Sequence, residues 1–562
     1  MSKYGTDESS YKEPYSTFDK VNTDDITSKI IGDFGRWQFW ISFIMTLLKL
    51  PIAWYQLNII FLAPPQHFWC AKPAIFAKYS DEEWRKICSP NIEEHPCLIY
   101  DPDLLYVSTA MDRSLIPLVA CPMFVFNKTT FSRTITSDWD LVCSKHWLTH
   151  LTQCVMMWGI VIGGIIFGVL ADKYGRKTPL MISVLIQGVA SYVASFMPDY
   201  WSFLAVWFIL ALGSGGVGII SFVICMEVVS GKYRTTVPVL YQLPFGLGNA
   251  IMAGLAYWLR DWRKLEFTLA TLSSLFIFYW FWIPESPRWL LATGQIEKAM
   301  VVLKEAAQQN GKCYTMRQLK QLMPKVKSQK RREPGFLAFF RSRNMRLKTF
   351  LLSINWLVIK STENLPQMDH NYIQLKRLVD FRFFTGLAFY TFSQYLGSIG
   401  GDIFVAVSWT GIISTLGAIT CVFIVTKMGR KTTVGIYQLI TAICFIMLLV
   451  VPKDSFANNW PRLLFAGIGF AGMAGSIPAL YLFSGELFPT LGRNVGISGV
   501  TTFARIASMI APAVVSLDNI IITDFPLILL AFTSFAQILL LLPLPETKDK
   551  PIPDTLEQAE LF

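Results

Sequence analysis

Residues 168–177 read GVLADKYGRK and join two long apolar runs through a short charged turn. A stretch of the same form, FIVTKMGRK, occupies residues 423–431 in the other half of the chain. Two further pairs recur in the same order at nearly the same offset, EVVSGKYR (227–234) with ELFPTLGR (486–493), and PES (284–286) with PET (545–547). Three landmarks repeated in order indicate that the chain contains two parallel repeats, an architecture known for bundles of membrane helices.

The apolar residues are concentrated in long runs. Hydrophobic residues make up 53% of the 562 residues and charged residues only 16%. A bilayer core about 30 Å thick requires about 20 apolar residues per helix. We therefore predict an all-α membrane protein with spans at 39–61, 147–170, 178–197, 201–226, 236–258, 265–283, 404–426, 432–451, 460–483, 494–516 and 525–544. An interrupted apolar stretch from Leu352 supplies a twelfth span.

The basic residues lie mainly in short loops between the apolar runs, so the net charge of +11 indicates membrane topology and no nucleic-acid partner. The positive-inside rule places these loops in the cytoplasm. The predicted organisation is a cytoplasmic N-terminus (1–36), an N-terminal six-helix bundle (37–283) with an extracellular loop (62–146), a cytoplasmic central loop (284–346), a C-terminal bundle (347–545) and a cytoplasmic C-terminus (546–562).

Five of the ten cysteines lie in the loop 62–146, together with the sequon Asn127-Lys128-Thr129. Clustered cysteines and a glycosylation sequon are typical of an oxidising, extracellular environment. We therefore expect disulfides among these cysteines and a glycan on Asn127. The odd number leaves one thiol unpaired, and the pairing stays open among Cys70, Cys88, Cys97, Cys121 and Cys143.

The interrupted stretch consists of two apolar pieces, Phe350–Ile359 and Thr385–Leu396, separated by the polar residues 360–384. Neither piece spans a bilayer alone, whereas the two joined have about the required length. Charged residues facing lipid would be costly. We interpret 360–384 as an insertion in helix 7, such as a retained in-frame intron or a gene-model error. The alternative is a real isoform with a shortened span from Phe381 and a cytosolic loop before it.

Several motifs resemble one family. Gly168, Asp172, Gly175, Arg176 and Lys177 resemble the loop signature of the major facilitator superfamily. The segments DWDLVC (138–143), PESPRWLLATGQIEKA (284–299), SINW (353–356), GSIGGDI (397–403), GELFPTLGRN (485–494), and LPETK with IPDTLEQAE (544–560) are similar to its organic cation, organic anion and carnitine transporter branch. The resemblance implies a major facilitator fold of twelve helices in two pseudo-repeated bundles, with transport by alternating access.

Charged residues near one face of both halves form a candidate cytoplasmic gate. We expect them to hold the halves together in one state and to release them in the other. The alternative is topological anchoring by the basic residues with incidental ion pairs. The gate candidates are Asp172, Gly175, Arg176, Lys177, Glu227, Arg234, Gly429, Arg430, Lys431, Glu486 and Arg493.

Arg505 is the most informative charge inside a predicted span. It lies twelve residues beyond Arg493, about 18 Å along a helix, near the membrane midplane. In the resembling family this position is Arg in carriers of carboxylates and acidic in typical cation carriers. A guanidinium can bind a carboxylate through two hydrogen bonds. The alternative is a structural Arg bonded to backbone carbonyls. Lys49 either joins Arg505 in a cationic pocket or extends to the interface.

The remaining substrate-binding candidates line the stretches that face substrate in the resembling family: Tyr241, Gln242, Phe245, Phe389, Tyr390, Gln394 and Tyr481. We expect a plasma-membrane transporter of small organic ions, with carboxylate-bearing anions or zwitterions as substrates and a co-transported or exchanged ion as a candidate second partner. The alternatives are an organic cation carrier and a non-transporting receptor or scaffold. We recognise no enzyme motif, cofactor site or metal site, and no buried acid that would support proton coupling.

Overall fold

The computed structural model describes residues 23–64, 66–88, 97–107, 116–231, 233–323, 370–396, 402–452, 455–456, 459–487, 493–517, 524–544 and 546–548. Within these ranges, nine helices are long and apolar enough to cross a membrane. Two shorter apolar helices and one polar-ended helix occupy the remaining predicted positions. The helical class is therefore confirmed. The helix ends that the structure describes lie within a few residues of the span ends predicted from hydrophobicity.

We number the helices in the order of the predicted spans. The N-terminal half contains α1 (Arg36–Leu57), α2 (Trp147–Tyr174), α3 (Lys177–Ser195), α4 (Tyr200–Val228), α5 (Thr236–Leu259) and α6 (Trp262–Trp282). The C-terminal half contains α7 (His370–Tyr395), α8 (Ile403–Met428), α9 (Arg430–Val450), α10 (Trp460–Leu487), α11 (Arg493–Ser516) and α12 (Phe525–Leu541).

The two halves pack by the same scheme. In the N-terminal half α4 packs against α2 and α3, and in the C-terminal half α10 packs against α8 and α9. Between the halves, α5 packs against α8 and α2 packs against α11, which are equivalent pairs in the repeat. Glycines allow these close approaches: Gly163 of α2 lies against the backbone of Leu212 in α4, where a Cβ would collide.

Two helices contain breaks at places that matter for the site. In α1 the regular helix pauses at Leu48, and a short turn (Ile59–Leu62) follows after Asn58. In α5 the segments Tyr233–Leu240 and Leu243–Leu259 are separated by a turn at residues 241–242. Proline lies beside these breaks in α1 and α5, because it lacks the N–H that a regular helix requires.

The loop between α1 and α2 contains small β-sheets that we did not predict. Strand β1 (Phe68–Cys70) pairs antiparallel with β4 (Phe124–Phe126), and β2 (Leu98–Tyr100) pairs antiparallel with β3 (Leu118–Ala120). Short helices flank them at Asp81–Cys88, Pro102–Val107 and Ile135–Asp138. The disulfides join Cys70 to Cys121 and Cys97 to Cys143, and Cys88 is the free, buried thiol that the odd count required.

Three helices occupy the described part of the central loop, at Pro287–Ala292, Ile296–Gln309 and Met316–Leu322. A helix from the N-terminal segment, Thr23–Ile31, packs against the first two. Asn310 fixes this contact, since its side-chain amide donates to the Ile31 carbonyl at 2.9 Å and to Gln38 Oε1 at 2.7 Å. Residues 1–22, 324–346 and 549–562 of the predicted loop and termini lie outside the described residues.

Helix α7 differs from the sequence-based expectation. It runs without interruption from His370 to Tyr395, so residues 370–384 form the first part of the helix rather than an interruption of it. The alternative, a cytosolic loop that ends at Asp380, is also wrong for the residues from His370 onward, because they are helical. The polar first half keeps α7 out of the set of apolar spans. Residues 350–369, including SINW, lie outside the described residues, and the proposed foreign origin of 360–384 stays a prediction.

Candidate functional site

We call the face that carries Gly175 and Gly429 the motif side, and the opposite face, which carries residues 62–146, the loop side. On the motif side, Gly175 ends α2 with φ of 101°, a conformation that favours glycine. The next residue, Arg176, is buried and bridges two acids, Glu227 of α4 at 2.9 Å and Asp172 at 2.8 Å. These contacts fix the turn between α2 and α3 to the end of α4.

Glu285, from the PES landmark, completes this turn. Its carboxylate accepts the backbone N–H of Arg176 at 2.6 Å and that of Lys177 at 3.3 Å. These amides begin α3 and have no partner within the helix, so an acidic side chain there is stabilising. The aromatic ring of Trp280 lies 5.3 Å from the Lys177 ammonium.

The C-terminal half repeats this arrangement. Gly429 ends α8 with φ of 97°, and Glu546 of the PET landmark accepts the backbone N–H groups of Arg430 at 2.8 Å and Lys431 at 3.1 Å. The Lys431 ammonium donates to the Leu542 carbonyl at 2.6 Å. The repeat of PES and PET is visible in the sequence, but the role of Glu285 and Glu546 is not.

The gate prediction is not tested by the structure. Among the described residues, the ion pairs of the motif side join elements of the N-terminal half, Arg176 with Asp172 and with Glu227. The side chains of Arg234, Glu486 and Arg493 lie outside the described residues. The role of these charges in holding the two halves together therefore stays a prediction.

Between the halves, Lys49 of α1 and Arg505 of α11 lie close enough for their charges to interact. The Lys49 ammonium lies 5.0 Å from the ring centre of Tyr241 and 5.9 Å from that of Phe245. Within the described part of the chain, neither cation forms an ion pair, and Nη1 of Arg505 is buried without a hydrogen-bond partner. Among the described residues, no carboxylate therefore forms an ion pair with either of these two positive charges.

Aromatic side chains from both halves surround these cations. Phe245 of α5 contacts Phe389 of α7, with ring centres 5.9 Å apart, and Tyr390 lies near Arg505. The ring centre of Tyr481 in α10 lies 6.0 Å from that of Phe222 in α4. The structure therefore brings together seven of the predicted residues and Phe222; this central site comprises Lys49, Phe222, Tyr241, Phe245, Phe389, Tyr390, Tyr481 and Arg505.

The other two predicted residues, Gln242 and Gln394, are half-buried, the first in the turn that interrupts α5 and the second near the end of α7. Arg382 of α7 is an unexpected neighbour of the central site. It is 3% exposed and its guanidinium lies 4.2 Å from the ring centre of Tyr481. Arg382 lies in the segment 360–384 that we interpreted from the sequence as an insertion.

On the loop side, α1 contacts the C-terminal half. Tyr390 donates its hydroxyl hydrogen bond to Gln56 Oε1 at 3.1 Å, and Phe61 stacks on Phe404 of α8 with ring centres 5.7 Å apart. Phe131 from the loop also packs on Phe404. The two halves are therefore in direct contact on the loop side of the central site.

One buried acid was not predicted from the sequence: Glu266 of α6, which is 0% exposed. It was overlooked because it follows Arg263 and Lys264 closely and resembles an interfacial charge. A helical pattern could have identified it, since Leu269, Ala270 and Ser273 lie three, four and seven residues further on and are buried on the same face.

Comparison with known proteins gives consistent matches. The family model described as "Sugar (and other) transporter" matches residues 116–365. The chain is 29% identical over 552 residues to the "Organic cation transporter protein" of Drosophila melanogaster, covering 96% of this chain and 94% of the relative. It is 28% identical over 562 residues to "Solute carrier family 22 member 2" of Rattus norvegicus, covering 96% of each.

Among solved structures, the chain is similar to the inward open conformation of the xylose transporter XylE from E. coli, with a TM-score of 0.58 and 15% identity over 93% of this chain and 99% of that chain. A second XylE structure, described as that of a major facilitator superfamily proton:xylose symporter, gives a TM-score of 0.56 at 16% identity. At these identities the likeness shows the fold, two six-helix bundles of the major facilitator type.

Proposed function

We propose that this chain belongs to the organic cation transporter family of the major facilitator superfamily and that it carries small organic ions that bear a carboxylate. The substrates are organic anions, or zwitterions that present a carboxylate, of carnitine-like or amino-acid-derived type. The transporter works by alternating access in the plasma membrane, with both termini and the motif side in the cytoplasm.

The observation that carries this proposal is a pair of cations in the central site: Lys49 faces the rings of Tyr241 and Phe245, Nη1 of Arg505 is buried without a hydrogen-bond partner, and neither forms an ion pair among the described residues. Cations within a membrane protein are costly unless a partner compensates them. A carboxylate would supply that partner, because a guanidinium binds it through two charge-assisted hydrogen bonds. The aromatic rings of the central site would contact the body of the substrate.

Alternating access is supported by the position of the central site. It lies between the two bundles, and the contact between Phe61 and Phe404 closes its loop side. Rocking of the bundles about the site would separate this contact and open the opposite face. The motif-side residues that we predicted as a gate, among them Arg176 and Arg430, are placed to change partners during that movement.

An organic cation carrier is the second candidate, because named relatives of similar sequence are organic cation transporters. The rings of Tyr241 and Phe245 could bind an organic cation through their faces. The same rings already face the Lys49 ammonium, however, so a cationic substrate would be repelled at this position. This charge argument favours the anion.

Uptake by oocytes expressing the wild-type chain, Arg505→Asp or Lys49→Gln tests the proposal. The probes are radiolabelled hippurate, an aromatic carboxylate, L-carnitine, a zwitterion, and tetraethylammonium, a cation. We expect Arg505→Asp to reduce uptake of the carboxylate by at least about thirtyfold, because truncating a hydrogen-bonded charge partner costs about 2 kcal/mol or more. Lys49→Gln should reduce it less.

The matched control is Lys264→Gln, which removes an exposed lysine near the loop side and should leave uptake unchanged. Surface biotinylation corrects each value for the amount of protein at the membrane. Carboxylate uptake that is unaffected by Arg505→Asp would contradict the proposed role of Arg505. Uptake of tetraethylammonium alone by the wild type would favour the cation carrier, and absence of uptake for a broad panel would favour a receptor or scaffold.

A further inference from the structure

Glu266 lies within the N-terminal bundle, about one helical turn from the loop-side end of α6. Trp262, which begins α6, is also buried and donates its indole hydrogen bond to Asp138 Oδ2 at 3.0 Å. Glu266 is separate from the central site, since its contacts are with α1 and α3 of its own bundle. Neither the transport site nor the motif-side turns use this residue.

Both carboxyl oxygens of Glu266 accept hydrogen bonds from neutral donors. Asn58 Nδ2 donates to Oε2 at 3.0 Å, and the Ser191 hydroxyl donates to Oε1 at 2.6 Å. Both donor residues are 0% exposed. The arrangement presents N–H and O–H groups to the carboxyl, which suits a carboxylate or a carboxylic acid and does not form an oxygen-lined pocket for a metal cation.

No basic residue in the described ranges forms an ion pair with Glu266. The titratable group whose charge interacts with Glu266 is Tyr55 of α1, which donates to Ser273 Oγ at 3.0 Å. Tyr192 of α3, which follows Ser191 in the chain, donates to Thr271. Arg263, on the same helix, is directed to Asp138 and to backbone carbonyls of the loop after α3. Two neutral donors offset only part of the cost of an ionised carboxylate in this environment.

Glu266 is hydrogen-bonded to the end of α1, which closes the loop side. Its partner Asn58 lies at the break between α1 and the turn Ile59–Leu62. Two residues before it, Gln56 accepts the hydrogen bond of Tyr390 from the other half, and three residues after it, Phe61 stacks on Phe404. A change at Glu266 therefore reaches both contacts through a few residues of backbone.

We propose that Glu266 is a proton-binding site that couples proton movement to the opening of the loop side. In the closed arrangement the carboxyl is buried and holds a proton. When the end of α1 moves away, water reaches Glu266 and the proton leaves from the carboxyl oxygen to that water; it returns by the same route before closure. Asn58 can serve both forms, because its unpartnered Oδ1 accepts from the acid if the amide rotates.

The site itself can be tested without a substrate. Infrared spectroscopy of the purified protein in lipid should show a carbonyl band of a protonated carboxylic acid that titrates with pH, and Glu266→Gln should remove this band. Ser191→Ala removes a donor that favours the carboxylate, so the midpoint of the band should shift to higher pH. If the infrared carbonyl bands are identical in the wild type and in Glu266→Gln at every pH, the proposed proton site is overturned.

The coupling is tested by labelling Phe61→Cys in intact cells with a membrane-impermeant maleimide at one neutral pH. Gln mimics the protonated acid, so adding Glu266→Gln should slow the labelling by favouring closure. Glu297→Gln, which changes an exposed acid of the Ile296–Gln309 helix, is the matched control and should have no effect. Equal labelling rates with Glu266 and with Glu266→Gln overturn the coupling.

This inference depends on the proposed function only in assuming that the loop side opens during transport. The two fail in distinguishable ways. Absence of hippurate and carnitine uptake together with a titrating band would overturn the proposed substrate class and leave the proton site standing. Uptake that responds to Arg505→Asp, together with no titrating band, would overturn the proton site alone.

Discussion

Glu285 accepts the backbone N–H of Arg176 at 2.6 Å, across more than one hundred residues of chain. Glu546 makes the equivalent bond to Arg430 at 2.8 Å in the second half. Each glutamate closes the motif-side turn between two helices at the point where a glycine adopts positive φ. The short repeats PES and PET are therefore parts of the same structural unit as the repeats that end in GRK.

We predict that Glu285→Gln and Glu546→Gln destabilise the protein to a similar extent. Gln retains the size but loses the charge, so the hydrogen bonds to the helix amides weaken by about 1 to 2 kcal/mol. Thermal unfolding of the purified protein in detergent measures the effect, and Glu297→Gln is the exposed control. A loss of stability in only one of the two variants would argue against equivalent roles.

Tyr390→Phe should favour opening of the loop side. The variant removes the hydrogen bond to Gln56, a bond between the two halves worth about 1 kcal/mol, which corresponds to about a fivefold change in the equilibrium. The labelling rate of Phe61→Cys should rise accordingly. Tyr395→Phe, which removes a bond to Asp524 within the C-terminal half, is the comparison and should leave the rate unchanged.

Cys88 should resist alkylation in the native protein. Burial raises the pKa of the Cys88 thiol above its ordinary value, so the reactive thiolate is scarcer at neutral pH and the reagent has little access. Labelling should appear only after denaturation. Cys313 is exposed on the motif side and serves as the positive control. It should react in inside-out vesicles and not in intact cells, and the reverse result would contradict the proposed orientation.

Asn127 should carry a glycan. It follows β4 on the loop side, and its side-chain oxygen accepts the backbone N–H of Thr129 at 3.0 Å. A glycosidase should increase the electrophoretic mobility of the wild-type chain, whereas Asn127→Gln should migrate at the deglycosylated position before treatment. Mobility that is unchanged by the enzyme would place this loop away from the glycosylation machinery.

A chain lacking residues 360–384 should transport at least as well as the full chain. Deletion joins Ile359 to Thr385 and places Leu357 where Arg382 now contacts Tyr481, which removes a buried guanidinium from α7. Such an apolar helix has the length that a bilayer requires. Sequencing of transcripts and uptake by the deleted chain are the measurements. Transcripts that always contain these codons, or loss of uptake on deletion, would refute the insertion hypothesis.

The sequence by itself determined the positions of most helices, because a membrane span requires a local run of apolar residues and little else. It also determined the repeat, since the paired landmarks keep their order. In α7 the local criterion failed: the polar residues 360–384 were interpreted as an insertion, yet His370–Tyr395 form one helix. Arg382 is accommodated in it because its guanidinium is buried against the ring of Tyr481.

The tertiary structure alone decided which polar residues meet. The sequence left Lys49 either joining Arg505 in a cationic pocket or extending to the interface, and only the packing of the two halves brings their charges into interaction. Glu266 is distinguished from an interfacial acid only by Asn58 and Ser191, which come from two other helices. The free energy of moving an apolar side chain from water into the membrane depends on that side chain alone. The free energy of burying a charge depends on its partners, and how the helices pack determines those partners.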